Sequence, residues 1–248
     1  MGRYAARVTA VATLAMAYAT AATGGGVSHT SWIMTLDLPA TEATVALGVW
    51  DTREDVVSGR RKPSWLGLER SLYGIPHGVT TATGKPFADD LTNYLVRSLA
   101  RTGIEAEAVN IPVGTDREDT VKQLTATGCT RLLLFRLDEW YADTYVQTTL
   151  HYDVTLEVLD AAGATVSEIS VSGEDDLGRR ERPGRQSVTE ATADILRTLL
   201  TRESSLQALA STHEVAEEAA KRCTVDQILS MRESGLTEEQ IKAACGES

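Results

Sequence analysis

From Leu150 to Val158, apolar and polar residues alternate without a break: Leu150, Tyr152, Val154, Leu156 and Val158 fall on one side, and His151, Asp153, Thr155 and Glu157 on the other. Period-two alternation predicts a strand with one buried and one polar face. The turn "DAAG" at 160–163 leads into a second strand over about 164–173, giving a hairpin. Upstream, "TVALGVW" at 44–50 reads as a short buried strand, and "EAVNIPV" at 107–113 and "RLLLFRLDEWY" at 131–141 read as further strands. Between them the period changes to that of a helix. Phe87, Leu91, Tyr94, Leu95 and Leu99 share one face, Pro86 suits the first turn and Gly103 supplies the stop. A shorter helix is expected over 116–126 with Asp116 as N-cap, and Ser187 with Glu190 forms a capping box for a helix that buries Val188, Ile195 and Leu199 and runs to about Thr201.

The order strand, helix, strand, helix, three strands, helix predicts an α/β fold, a mixed β-sheet flanked by helices. Its first elements pair through helical crossovers and its later ones through hairpins. From Ser204 the composition shifts to Ala and Glu, and a polar helix is expected to about Lys221. Capping-box spacings at Thr224/Gln227 and Thr237/Gln240 then predict a C-terminal α-helical hairpin with Val225, Ile228, Leu229 and Ile241 inside. The expected division is a signal peptide at 1–23, a flexible leader at 24–43, a mixed α/β domain at 44–203 and a helical appendage at 204–248.

Composition sharpens the address more than the activity. The first residues read MGRYAARVTAVATLAMAYATAATGGG: two arginines, an uncharged Ala-rich stretch, then small residues. That order is a secretory signal and places the protein in the periplasm or outside the cell; an uncleaved anchor is the other reading. No cysteine precedes Cys129, so a lipobox is not expected. Export permits disulfides, and Cys223 and Cys245, which bracket the tail hairpin, are expected to pair, while Cys129 beside "LLLF" reads as a buried thiol. A net charge of -11 argues against a nucleic-acid partner.

Chemistry is thin. The four histidines, His29, His77, His151 and His213, show no metal-ligand spacing, so neither a metal nor a cofactor is expected. There is no GxSxG elbow, phosphate loop or dinucleotide fingerprint, and no catalytic residue is assigned. His151 reads as a solvated surface histidine, and the carboxylates at 174–176 as turn charges.

The segment Arg53–Lys85 stands apart. It carries six basic residues (Arg53, Arg60, Arg61, Lys62, Arg70, Lys85) against three acidic ones, a local +3, together with Trp65, Leu66, Leu68, Leu72, Tyr73 and Ile75. Read as a long loop, so apolar a segment is a recognition element or a lid in which Trp65 and Leu72 fold back on the sheet edge. Arg60, Arg61, Trp65, Arg70, Tyr73 and His77 are therefore candidate binding residues. Arg179 and Arg180 of the run "RRERPGR" join them if the two segments emerge at one end of the sheet.

"VALGVWDTR" followed by "PSWLGLERSLYGIPHGVTTATGKPFADDL" resembles bacterial envelope lipoproteins of the YajG-like kind, over roughly residues 44–200. The resemblance implies a non-enzymatic envelope protein with a mixed sheet flanked by helices, although the lipid-bearing cysteine of that family is missing here. The expected partner is an envelope protein or an anionic envelope component, and peripheral membrane association stays open. The alternative reading is a hydrolase of an envelope polymer with His77 and Glu69 or Asp55 as acid and base; a third is a subunit that self-associates through the helix near Glu214 and the tail.

Overall fold

A computed structural model describes residues 34–39, 41–179 and 187–210. The signal segment, His29, Arg180, His213, the tail hairpin and the Cys223/Cys245 pairing lie outside the described residues. In chain order the elements are β1 (Val45–Asp51), α1 (Glu54–Val57), β2 (Trp65–Arg70), β3 (Pro76–Thr80), α2 (Phe87–Arg101), β4 (Ala106–Asn110), α3 (Arg117–Thr125), β5 (Arg131–Thr144), β6 (Gln147–Asp160), β7 (Thr165–Arg179), α4 (Val188–Leu200) and α5 (Glu203–Ala210). The expected α/β class is the observed one, a mixed sheet with helices against it.

The long strand β5 organises the sheet. Along one edge it pairs antiparallel with β6 over its whole length. Its other edge is shared: β1 runs parallel to residues 131–137, and β2 runs parallel to residues 142–144. β4 extends the sheet beyond β1, β3 forms a hairpin with β2, and β7 completes the opposite side beside β6.

Around β1 the sheet is covered on both faces, which is why "VALGVW" and "RLLLF" are continuous apolar runs. Val45, Leu47, Val49, Leu133, Phe135 and Leu137 share a core with Phe87, Leu91, Leu95 and Leu99 of α2 and Leu196, Leu199 and Leu200 of α4. On the reverse face Ala46, Leu132, Leu134 and Leu159 pack with Ile111, Leu124 and the free thiol of Cys129 near α3. The predicted caps are present: the Asp116 carboxylate accepts from the Asp119 amide at 2.8 Å, and Ser187 and Glu190 cap each other.

Four expectations are corrected. First, the segment read as a long loop contains one helical turn, α1, and the β2–β3 hairpin. Second, the carboxylates at 174–176 and Arg179 belong to β7, which continues past the expected strand end. Third, the polar side of β6 is not uniformly wet: Thr155 and Glu157 are buried, and Glu157 receives the Arg117 guanidinium at 2.5 Å. Fourth, the chain before β1 is not a loose leader over all its length. Met34 and Leu36 are buried in the main core, the Met34 amide donates to Ser98 Oγ at 3.0 Å, and Arg197 donates to the Thr35 carbonyl.

Asp51 and Arg53 mark the seam between the β1 half of the sheet and the β2 half. Arg53 grips Asp51 through Nε and Nη2 with hydrogen bonds of 2.8 and 2.7 Å, and its Nη1 donates to the carbonyls of both Trp65 (2.9 Å) and Trp140 (3.1 Å). Both side chains are almost fully buried. A buried charge pair is tolerable only when it is well hydrogen-bonded, and here the Nη1 donors that Asp51 does not use tie the start of β2 to β5. The D-x-R element is therefore a structural clamp.

Candidate functional site

Beyond the seam, a register shift between Leu137 and Glu139 lets β5 continue alongside β2 in place of β1. Only one face of this half carries the core, through Trp140, Leu150, Leu66 and Leu177. Gly67 sits at φ +147° in a β-bulge where a Cβ would lie 2.0 Å from the Ala142 carbonyl oxygen, so the approach of β2 to β5 requires glycine.

The other face carries a row of side chains running across four strands. Arg61, just before β2, places its guanidinium 5.0 Å from the Trp65 ring centroid. Trp65 stacks on Tyr141 of β5 at 5.8 Å, and Tyr141 stacks on His151 of β6 at 4.4 Å with an interplanar angle of 13°. His151 Nδ1 lies 3.6 Å from a Glu174 carboxylate oxygen on β7. The rings face one another, so their edges are what the row offers to solvent. Burial, with help from Glu139 and Glu174, pushes the Tyr141 hydroxyl pKa up.

One step further along the strands, Arg70 makes a two-pronged ion pair with Asp143, at 3.0 and 2.6 Å. The Arg70 hydrogen bonds hold the Asp143 carboxyl below the usual carboxylate range. At the end of the sheet the β2–β3 turn and the β5–β6 turn meet: the Tyr145 hydroxyl donates to the Leu72 carbonyl at 3.4 Å. Leu72 is 93% and Tyr73 90% exposed, and Ile75, Tyr145 and Val146 are each more than half exposed. The turn itself is ordered by the Gly74 amide to the Ser71 carbonyl (2.8 Å) and the Ser71 amide to the Ile75 carbonyl (2.9 Å), with Gly74 at φ +77°.

The candidate residues thus divide. Tyr73 is at the tip, as a recognition residue must be. Trp65 is not: at 7% exposure it is a wall of the aromatic row, and its Nε1 has no hydrogen-bond partner. Leu72, expected to fold back if the segment were a lid, points into solvent. Arg60 pairs with Glu54 and Asp55, both at 2.8 Å. With Arg53 buried and Arg70 held by Asp143, the local +3 does not make an open basic patch.

His77 stands on exposed β3 opposite Glu69, while Asp55 is engaged by Arg60. Arg179 pairs through its backbone register with Gln147, so β7 does end beside the β5–β6 turn. Sequence reasoning missed Tyr141, Tyr145, Val146 and the part played by His151. The pairing of Tyr141 with His151 was available only as two alternating patterns whose register was unknown.

Among the described residues no group of three His, Cys, Asp or Glu could hold a metal ion, and no helix is long and apolar enough to cross a membrane.

No family model and no curated protein matches the chain. Solved structures similar to it include protein XCC0632 from Xanthomonas campestris, of the DUF330 family (11% identity, 76% of this chain and 98% of that one, TM-score 0.38). A PelC dodecamer from Paraburkholderia phytofirmans is similar at 14% identity, over 71% of this chain and 94% of that one (TM-score 0.37). Lipoprotein GNA1162 from Neisseria meningitidis shares 12% identity over 64% of this chain and 94% of that one (TM-score 0.27). At such low identities and TM-scores these likenesses decide neither family nor function.

Proposed function

We propose that the chain is a non-catalytic accessory protein of the cell envelope that engages its partner through the sheet end formed by the β2–β3 and β5–β6 turns. The observation that carries this is the exposure of Leu72 and Tyr73 on a turn that is itself hydrogen-bonded and braced against Tyr145. Apolar side chains held out into water by an ordered turn cost solvation free energy, and a cluster of them is a mark of an interaction site. The envelope location rests on the N-terminal sequence, two arginines followed by an uncharged Ala-rich run and small residues, and the YajG-like resemblance belongs with the same reading.

The reading is tested by replacing Tyr73 with a photoreactive residue and crosslinking in intact cells. A discrete adduct with another molecule is expected. Crosslinks only within the chain would sink it.

A further inference from the structure

The tip has a polarity that changes in layers along the strand direction. Outermost are Leu72 and Tyr73, at 93% and 90% exposure, with Ile75, Tyr145 and Val146 about half exposed behind them; each Tyr is an apolar ring carrying one hydroxyl. Neither turn, Ser71–Ile75 or Tyr145–Val146, contains a charged residue, although the chain as a whole carries a net charge of -11. Charges begin one or two residues back, with Arg70 and Glu69 on β2 and Asp143 on β5, and with Arg179 of β7 paired in backbone register with Gln147.

We propose that this tip inserts into the interfacial layer of a lipid bilayer, a deeper statement of the envelope reading above and resting on it. Three observations favour lipid over a protein partner. Seven tip residues fall short of the roughly 20–30 per side that a stable protein interface uses. Leu72 and Tyr73 are about nine-tenths exposed, so the surface offers projecting side chains to be received by the other side. Two layers follow one another, first the aliphatic and Tyr side chains of the turns and then the charged Arg70, Asp143 and Glu69, in the order met on leaving a bilayer; Tyr is enriched at that boundary because its ring is apolar and its hydroxyl polar. Since the two turns are uncharged and the chain as a whole is acidic, the matching surface is zwitterionic: an anionic leaflet would repel the body, and Arg179, paired in backbone register with Gln147, is a single cation against that net charge.

The test is flotation of the purified chain with vesicles of phosphatidylcholine alone, and with vesicles containing phosphatidylglycerol. Binding to phosphatidylcholine is expected, changing little with salt and weakening in the anionic vesicles. Leu72→Ser together with Ile75→Ser should lower the partition coefficient at least tenfold, with the thermal transition unchanged. A Tyr73→Trp chain should gain an emission component that brominated phosphatidylcholine quenches. Binding unaffected by the double substitution, binding to anionic vesicles alone, or no quenching of the new indole would each overturn insertion. If vesicles fail while the Tyr73 crosslink traps a protein, the envelope-partner reading stands and the lipid one falls; if both fail, both readings fall.

Discussion

The two halves of the sheet share the strands β5, β6 and β7 yet are built on different physics. Around β1 both faces are buried, polar groups are few, and the register is held by apolar packing from α2, α4 and α3. Past the seam one face is open, and the strands are held by a row of stacked rings, a two-pronged ion pair and one glycine contact. The contrast teaches that the same three strands can carry the stability of the molecule at one end and present an uncharged apolar surface at the other. The Asp51–Arg53 clamp joins the regimes.

The comparison breaks most sharply at that clamp. Arg53→Met leaves Asp51 buried without its cation and two carbonyls without donors, and should cost about 3–5 kcal/mol in urea unfolding. Asp51→Leu combined with Arg53→Met should recover a large part of that loss, since no lone buried charge then remains. A double variant as unstable as the single one would show that the guanidinium bonds to Trp65 and Trp140 carry the seam. Removing the central ring of the open-face row, Tyr141→Ala, should cost about 1–2 kcal/mol, because it deletes two ring contacts on a side chain only partly buried. A cost as large as that of a core aromatic would mean the open half is as tightly packed as the β1 half.

The Arg70–Asp143 pair supplies a pH test. Its carboxyl pKa is depressed on folding, so the unfolded chain binds the proton more readily. The stabilisation is present above the ordinary carboxylate value of about 3.9 and is lost as pH falls through the lower folded value. Asp143→Asn should flatten that part of the acid limb in a series of unfolding midpoints between about pH 2 and 6, and an unchanged limb would show that the pair is electrostatically idle. The smallest effect is expected at the tip, where Leu72→Ser should change stability by no more than about 0.5 kcal/mol while removing partner capture.

Much of the β1 half was legible in the sequence, because its signals are local. The α2 stripe, the Asp116 cap, the Ser187–Glu190 box and the alternation in β6 each need only a few neighbouring residues. The open half was not. In "SWLGLERSLYGIPHGVTT" the bulge at Gly67 interrupts the alternation of β2, and the exposed Leu72 and Tyr73 invert the usual link between apolarity and burial, so a hairpin reads as a loop. Arg70 and Asp143 are 73 residues apart, and the meeting of Tyr145 with Leu72 depends on a parallel pairing between β2 and β5 that no local pattern announces. The local +3 failed as a guide because it counts neither Asp51, which sits just outside the segment two residues before Arg53, nor Asp143, which only the fold brings to Arg70.

Gly67 has a genetic consequence. Every missense change in its codon adds a Cβ where the Ala142 carbonyl stands 2.0 Å away, so the point at which the hairpin is fastened tolerates no missense variation. A few residues on, no such constraint acts on Leu72 or Tyr73. Divergence among descendants of this chain should therefore concentrate at the tip while its attachment stays fixed, and a new tip sequence grafted between Arg70 and Pro76 would inherit a ready-made, rigid mount.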